Sequence, residues 1–315
     1  NLLEQLDLSS HIDAINIQPD FKCLVTQNFI DKMQPGNIND PLLQQVLPLN
    51  KEAHLATQKN GLYDPVGDIN AQASQGLIHK YYGRVLLIAT GACAIHCRYC
   101  FRRHYPYQQS SYTNKTLNPV LDYLTEHTEI EEVILSGGDP LMLDNEKLAG
   151  LIEKLETIKH LHTLRIHTRL PVVLPDRINT GLIKLLQSSR FQVVMVIHAN
   201  HANELQHTEY NKLHMLQQAG ITLLNQSVLL KGVNDNADAL VSLSKRLFKC
   251  KTLPYYLHLL DPVKGAMHFK VNTTTALLLK KDLEERLPGY LVPRLVQEIA
   301  GNRSKTAVFV TSQQV

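Results

Sequence analysis

From residue 84 onward, short runs rich in β-branched and apolar residues alternate with longer stretches in which apolar positions recur every three or four residues. The short runs are 85–90, 132–135, 163–168, 192–197, 222–229 and 255–260, each of strand length and suited to a pleated, half-buried surface. The stretches between them, such as 146–158 and 237–248, carry one apolar stripe at helical spacing, as helices lying on a sheet do. Strands alternating with helices pair in parallel through right-handed crossovers, which predicts an α/β barrel or open sheet. In either architecture, chemistry sits at the carboxyl ends of the strands. Residues 1–80 show no sustained period and contain the turn signals Gln34-Pro35-Gly36-Asn37 and Asp64-Pro65-Val66-Gly67. They predict an N-terminal cap, mostly helical or irregular, ahead of one catalytic domain over 81–315.

Composition narrows the class. The 315 residues are 44% hydrophobic and 19% charged, enough for a large core, which excludes a disordered or collagen-like chain. No apolar run approaches the roughly 18 residues of a membrane span, and no secretory leader is visible. A soluble, cytoplasmic protein without a membrane partner is expected. Residue 1 is Asn, so the numbering is expected to begin inside the encoded chain. The net charge of +3 and the absence of Trp give no basis for expecting a nucleic-acid partner.

Five cysteines are too few and too unevenly placed for a disulfide framework. Cys93, Cys97 and Cys100 form C-x3-C-x2-C directly after the first predicted strand of the alternating region, while Cys23 and Cys250 stand alone. Three thiolates on one loop can hold three irons of a cubane cluster and leave the fourth iron open to a small chelating molecule. The competing readings are a zinc site completed by His96 or His104, a run of buried thiols, or a closed cluster that recruits Cys23 or Cys250. Zinc sites usually pair two knuckles, and this chain has no second one.

This loop after a strand resembles that of the radical S-adenosylmethionine superfamily. The stretch from about Asp64 to Lys305 is similar to the lysine 2,3-aminomutase family, and Cys100-Phe101-Arg102-Arg103-His104-Tyr105-Pro106-Tyr107 looks like its short branch, which makes (R)-β-lysine for elongation factor P. The resemblance implies a partial (β/α)6 barrel with an N-terminal helical cap, and three cofactors: a [4Fe–4S] cluster on Cys93, Cys97 and Cys100, S-adenosyl-L-methionine, and pyridoxal 5′-phosphate. It implies that Ser136, Gly137, Gly138 and Asp139, with His198 and Gln226, bind S-adenosylmethionine. Glycines in such a turn let the backbone approach a neighbour closely. The resemblance further implies that Lys305 is the catalytic lysine holding pyridoxal phosphate, beside Tyr81 and Arg84. Arg102 is implied to pair with the substrate carboxylate, and Asp261 and Glu298 to meet the ε-ammonium of L-lysine.

Two departures matter. The free-lysine enzymes carry Asp where this chain has Glu298, and one methylene moves a carboxylate by about an ångström, enough to alter substrate pose. The longer aminomutases continue into a cysteine-bearing oligomerisation segment, so a monomer or dimer is expected here. The implied partners are an electron donor such as flavodoxin or ferredoxin, and functionally elongation factor P with its lysine ligase. The rival readings are a radical aminomutase for glutamate or arginine, and an iron–sulfur or zinc module without substrate chemistry.

Overall fold

The computed structural model describes residues 2–16, 20–54, 59–110 and 114–309, with the side chains of 109, 110, 114 and 115 left aside. Its ten strands are β1 (Gln72–Ser74), β2 (Leu77–Tyr81), β3 (Arg84–Thr90), β4 (Glu132–Gly137), β5 (Thr163–Thr168), β6 (Gln192–Ile197), β7 (Thr222–Val228), β8 (Leu253–His258), β9 (Arg294–Gln297) and β10 (Thr306–Ala307). They form one sheet in sequence order. Strands β3 to β9 are parallel, and antiparallel pairs close each end of the series, β1–β2–β3 and β9–β10.

The six apolar runs of the sequence are β3 to β8, with β5 and β6 at their predicted bounds. The sheet extends further than expected at both ends. Strand β2 turns back onto β3 through Tyr82-Gly83, with Tyr81 opposite Arg84 and Gly83 at φ +73°. That left-handed conformation suits glycine and makes the tight reversal possible. Strand β9 has only four residues, Arg-Leu-Val-Gln, too short for its alternation to stand out.

Helices cover the outer face. The helix Asn145–Glu156 starts where the Asp144 side chain accepts from the Lys147 amide, and Ala237–Lys249 starts at Asn236 in the same way. Such caps contribute about 1 kcal/mol each. Leu148, Leu151, Ile152 and Leu155 form the buried stripe of the first helix. They share one core with Leu164 and Ile166 of β5, Met195 of β6 and Leu223 of β7. Residues of the N-terminal segment, among them Leu8, Phe29, Leu42 and Leu43, belong to that same core. Because strand side chains alternate in direction, Arg165 and His167 leave β5 on the other face from Leu164 and Ile166.

The sheet does not close into a barrel. Its two ends approach through side chains: Tyr81 Oη donates to Glu298, just past β9, and Lys80 Nζ lies 3.8 Å from the same carboxylate. One backbone bridge also crosses, from Leu62 to Val263.

Candidate functional site

The residues that could carry chemistry gather at the carboxyl ends of the parallel strands. Cys93, Cys97 and Cys100 follow β3, partly buried and unpaired. Burial pushes the Cys93 thiol up, as do the neighbouring Cys100 and Cys97; burial and Cys97 push Cys100 up to about 11. The three thiols are therefore close enough to act on one another. Among the described residues no three His, Cys, Asp or Glu side chains converge as they would around a single metal ion. The two histidines that could have completed a zinc site are engaged elsewhere. His96 Nδ1 bonds the Lys22 carbonyl and its ring stacks on Phe21, and His104 Nε2 bonds the Lys264 carbonyl. Cys23 bonds the Val46 carbonyl, and Cys250 is buried in the core.

The turn after β4, Ser136-Gly137-Gly138-Asp139, lies directly against the start of the cysteine loop. Gly138 N donates to Thr90 O at 2.7 Å and Asp139 N to Ala92 O at 2.8 Å. A Cβ on Gly137 would sit 2.5 Å from Thr90 O, and one on Gly138 2.3 Å from Ala92 O. The neighbour that these glycines admit so closely is the chain's own cysteine loop. Asp139 is buried and faces inward to the next strand end: its carboxylate accepts from Thr168 Oγ1, Arg169 N and Leu141 N at 2.7, 2.7 and 3.1 Å. Burial nevertheless raises its pKa to about 6.

A second group surrounds Arg102. Its Nε donates to Asp68 at 2.6 Å and its Nη1 to Ser136 Oγ at 3.1 Å. Lys80 Nζ lies 2.5 Å from the other oxygen of Asp68. Burial opposes the charge on Asp68, but Arg102 and Lys80 outweigh it and hold the carboxyl below its usual range. Across the seam of the sheet, Glu298 accepts from Tyr81 Oη and from Lys305 Nζ, the latter at 2.8 Å. The Arg84 guanidinium lies 5.0 Å from the Tyr81 ring, and Lys305 Nζ lies 5.7 Å from the ring of Tyr256.

Between these groups stand residues from β5 to β8. Gln226 and His198 join at 2.7 Å between their Nε2 atoms. Burial, then Arg169, Lys305 and Arg102, depress His198 to about 3, so the ring is neutral and accepts from the amide. His167 and His258 are lowered by burial first and by the Lys305 charge among other groups. One cation thus bears on histidines of three different strand ends. Asp261 is raised to about 7 by burial, with Lys305 opposing and Glu298 and Asp68 adding to the rise. Among the described residues Asp261 Oδ1, His167 Nε2, His258 Nε2 and Arg169 Nε are buried without a hydrogen-bond partner. Buried polar atoms are rarely left so, and the Lys305 charge bears on three of these residues, Asp261, His167 and His258. The donor set fits the implied groups: thiols for iron, a lysine and an arginine–tyrosine pair for an aldehyde phosphate, and an unsatisfied carboxylate for an ammonium.

Of the residues named from the sequence, Arg84 opens β3 and Gln226 lies inside β7, whereas the others sit at or beyond strand ends or at the seam. Sequence reasoning did not single out Asp68, His167, Arg169 or His258. His167, Arg169 and His258 are polar residues at or just past the ends of predicted strands, a position that could have selected them. Asp68 had only the turn beside it as a signal.

The chain is similar to known proteins along most of its length. The model of the radical SAM superfamily matches residues 87–243. The chain is similar to the L-lysine 2,3-aminomutase of Haemophilus influenzae, with 50% identity over 287 residues, 91% of this chain and 84% of that protein. The L-lysine 2,3-aminomutase of Escherichia coli is 44% identical over 294 residues, 93% of this chain and 85% of that one. That of Clostridium subterminale is 34% identical, covering 92% of this chain and 70% of its own length. A solved radical SAM methyltransferase from Sphaerobacter thermophilus superposes with a TM-score of 0.52 at 14% identity over 70% of this chain and 68% of that one, a likeness of fold.

Proposed function

The chain belongs to the lysine 2,3-aminomutase family within the radical S-adenosylmethionine superfamily, and on that premise we propose that it moves the α-amino group of L-lysine to the β-carbon. The observation that carries the choice of substrate is Asp261: a buried carboxylate oxygen without a partner, facing the field of Lys305 and Glu298, is a place prepared for a cation.

When bound, the cluster and S-adenosylmethionine supply a radical able to take hydrogen from an unactivated carbon, and pyridoxal phosphate supplies the carbonyl that carries the migrating nitrogen. The protein's part is to position and to exclude. Cys93, Cys97 and Cys100 would hold three irons of the cluster, and the turn 136–139 braces their loop through its backbone bonds to Thr90 and Ala92. His198, neutral and bonded to Gln226, offers a border of hydrogen-bonding groups without charge. Arg84 and Tyr81 would hold the pyridoxal ring and phosphate. The bonds of Arg102 to Asp68 and Ser136 use Nε and Nη1, so Nη2 is the edge it turns to a substrate carboxylate. Glu298 accepts from Lys305 Nζ at 2.8 Å and so fixes where that nitrogen sits, and Nζ has to give up a proton before it can act as a nucleophile. The product in this reading is (R)-β-lysine, destined for elongation factor P through its ligase, with flavodoxin or ferredoxin as donor.

The test is anaerobic loading with iron, sulfide, pyridoxal phosphate, S-adenosylmethionine and reductant, followed by chiral analysis of the lysine products. β-Lysine is the expected product. Its absence with an intact cluster refutes the reading. Borohydride trapping with peptide mapping should label Lys305, and label on another lysine overturns that assignment.

A further inference from the structure

Arg169, the residue that follows β5, is built into the molecule in a way that the reaction above does not use. Its backbone amide is fixed by Asp139 at 2.7 Å, and the adjacent Thr168 hydroxyl by the other oxygen of the same carboxylate. The side chain is 5% exposed and lies between the rings of Phe29 and Tyr99, 5.2 and 5.7 Å from their centroids. Its Nη1 lies 2.7 Å from Cys97 Sγ and 2.7 Å from Tyr99 Oη. Its Nη2 lies 2.7 Å from Gln45 Oε1 and 3.0 Å from Glu204 Oε2.

The environment keeps the cation charged and still. An arginine guanidinium stays protonated at any ordinary pH, and this one is gripped at both terminal nitrogens. Glu204 is fully buried and also accepts from Gln45 Nε2, Asn200 N and His201 N. Asn200 in turn bonds Gln45 Oε1 and Tyr99 Oη. Every residue that could let the guanidinium swing away is itself tied.

A fixed cation against a cluster sulfur has a definite physical effect. Adding one electron to an iron–sulfur cluster makes it more negative, and hydrogen bonds and positive charge at its sulfurs favour that state. We infer that Arg169 tunes the reduction potential of the cluster through Cys97, easing uptake of the electron from a low-potential one-electron donor, while Glu204 opposes it from the far side of the guanidinium. No bond is broken in this step; one electron enters and is shared by the irons. Asp139, which holds the Arg169 backbone, becomes a positioning residue for this contact. The inference rests on the cofactor reading of the three cysteines.

The two charges predict shifts of opposite sign. In the loaded protein, with the midpoint followed by electron paramagnetic resonance during dithionite titration, R169Q should be about tenfold harder to reduce, a shift of 59 mV to the negative for a one-electron couple. E204Q leaves the cation unopposed and should shift the midpoint to the positive. Iron content measured on each variant separates a change in potential from a loss of cluster. An E204Q midpoint that is unchanged or more negative overturns the inference, whatever R169Q does. So does an R169Q protein with a full cluster and the parent midpoint. A parent chain that takes up no [4Fe–4S] cluster overturns the cofactor reading and the inference with it, whereas a loaded parent with unshifted variants overturns the inference alone.

Discussion

Two aspartates of this chain look alike in sequence and could hardly differ more in place. Asp139-Pro140 follows β4 and Asp261-Pro262 follows β8 by a few residues. Asp139 is buried and Asp261 half-buried with its Oδ1 shut from solvent, and desolvation raises both pKa values, to about 6 and about 7. Asp139 accepts three hydrogen bonds and ties together the ends of β4 and β5, whereas Asp261 keeps an oxygen without a partner beside the Lys305 charge. A satisfied buried carboxylate holds a fold together. An unsatisfied one is a cost that folding alone does not explain, and it marks where a ligand completes the structure.

The sharpest way to break that contrast is D139N, whose NH2 replaces one of the two oxygens and so meets a backbone N–H donor head-on, that of Arg169 in one amide orientation or that of Leu141 in the other. It should lose about 3 kcal/mol of stability in urea unfolding. Near-parent stability together with a raised lysine KM would mean that the two aspartates share one task. D261N should do the reverse: KM for L-lysine rises roughly tenfold to a hundredfold, the worth of one charged hydrogen bond, while unfolding free energy measured at about pH 4, where the parent carboxyl is neutral in the folded chain, stays within about 0.5 kcal/mol of the parent. A destabilised D261N with unchanged KM would make Asp261 a scaffold residue.

A smaller effect lies in pH. An ammonium needs Asp261 ionised, so KM for lysine should fall as pH rises toward and through about 7, by at most tenfold per unit, and the trend should vanish in D261N. The same titrations act on stability itself. Both folded carboxyls keep a proton that the unfolded chain gives up in the ordinary carboxylate range, so their contribution to stability is lost as pH rises from there through about 6 and about 7. Urea unfolding across that window should show D261N flattened in its upper part only.

How much of this was legible in the sequence depended on range. The strands β3 to β8 declared themselves because their periods are local, and the cysteine loop because its spacing is. Arg169 was not legible: its partners Gln45, Cys97 and Glu204 lie 124, 72 and 35 residues away, and Thr-Arg-Leu-Pro alone resembles any strand exit. Likewise the glycines after β4 announced a close approach but not its object, which is the backbone of a neighbouring loop. The difference between Asp139 and Asp261 is made largely by the Thr168 and Arg169 donors brought from the end of β5.

The open seam of the sheet carries a consequence of its own. In a closed barrel the number and stagger of strands fix the bore. Here the ends meet largely through Tyr81, Lys80 and Glu298, so the calibre of the central space is set by the reach of a carboxylate and not by a ladder of amides. A glutamate in that position holds the arc wider than an aspartate would. The same side chain holds Lys305, so any change that releases the lysine also loosens the clasp.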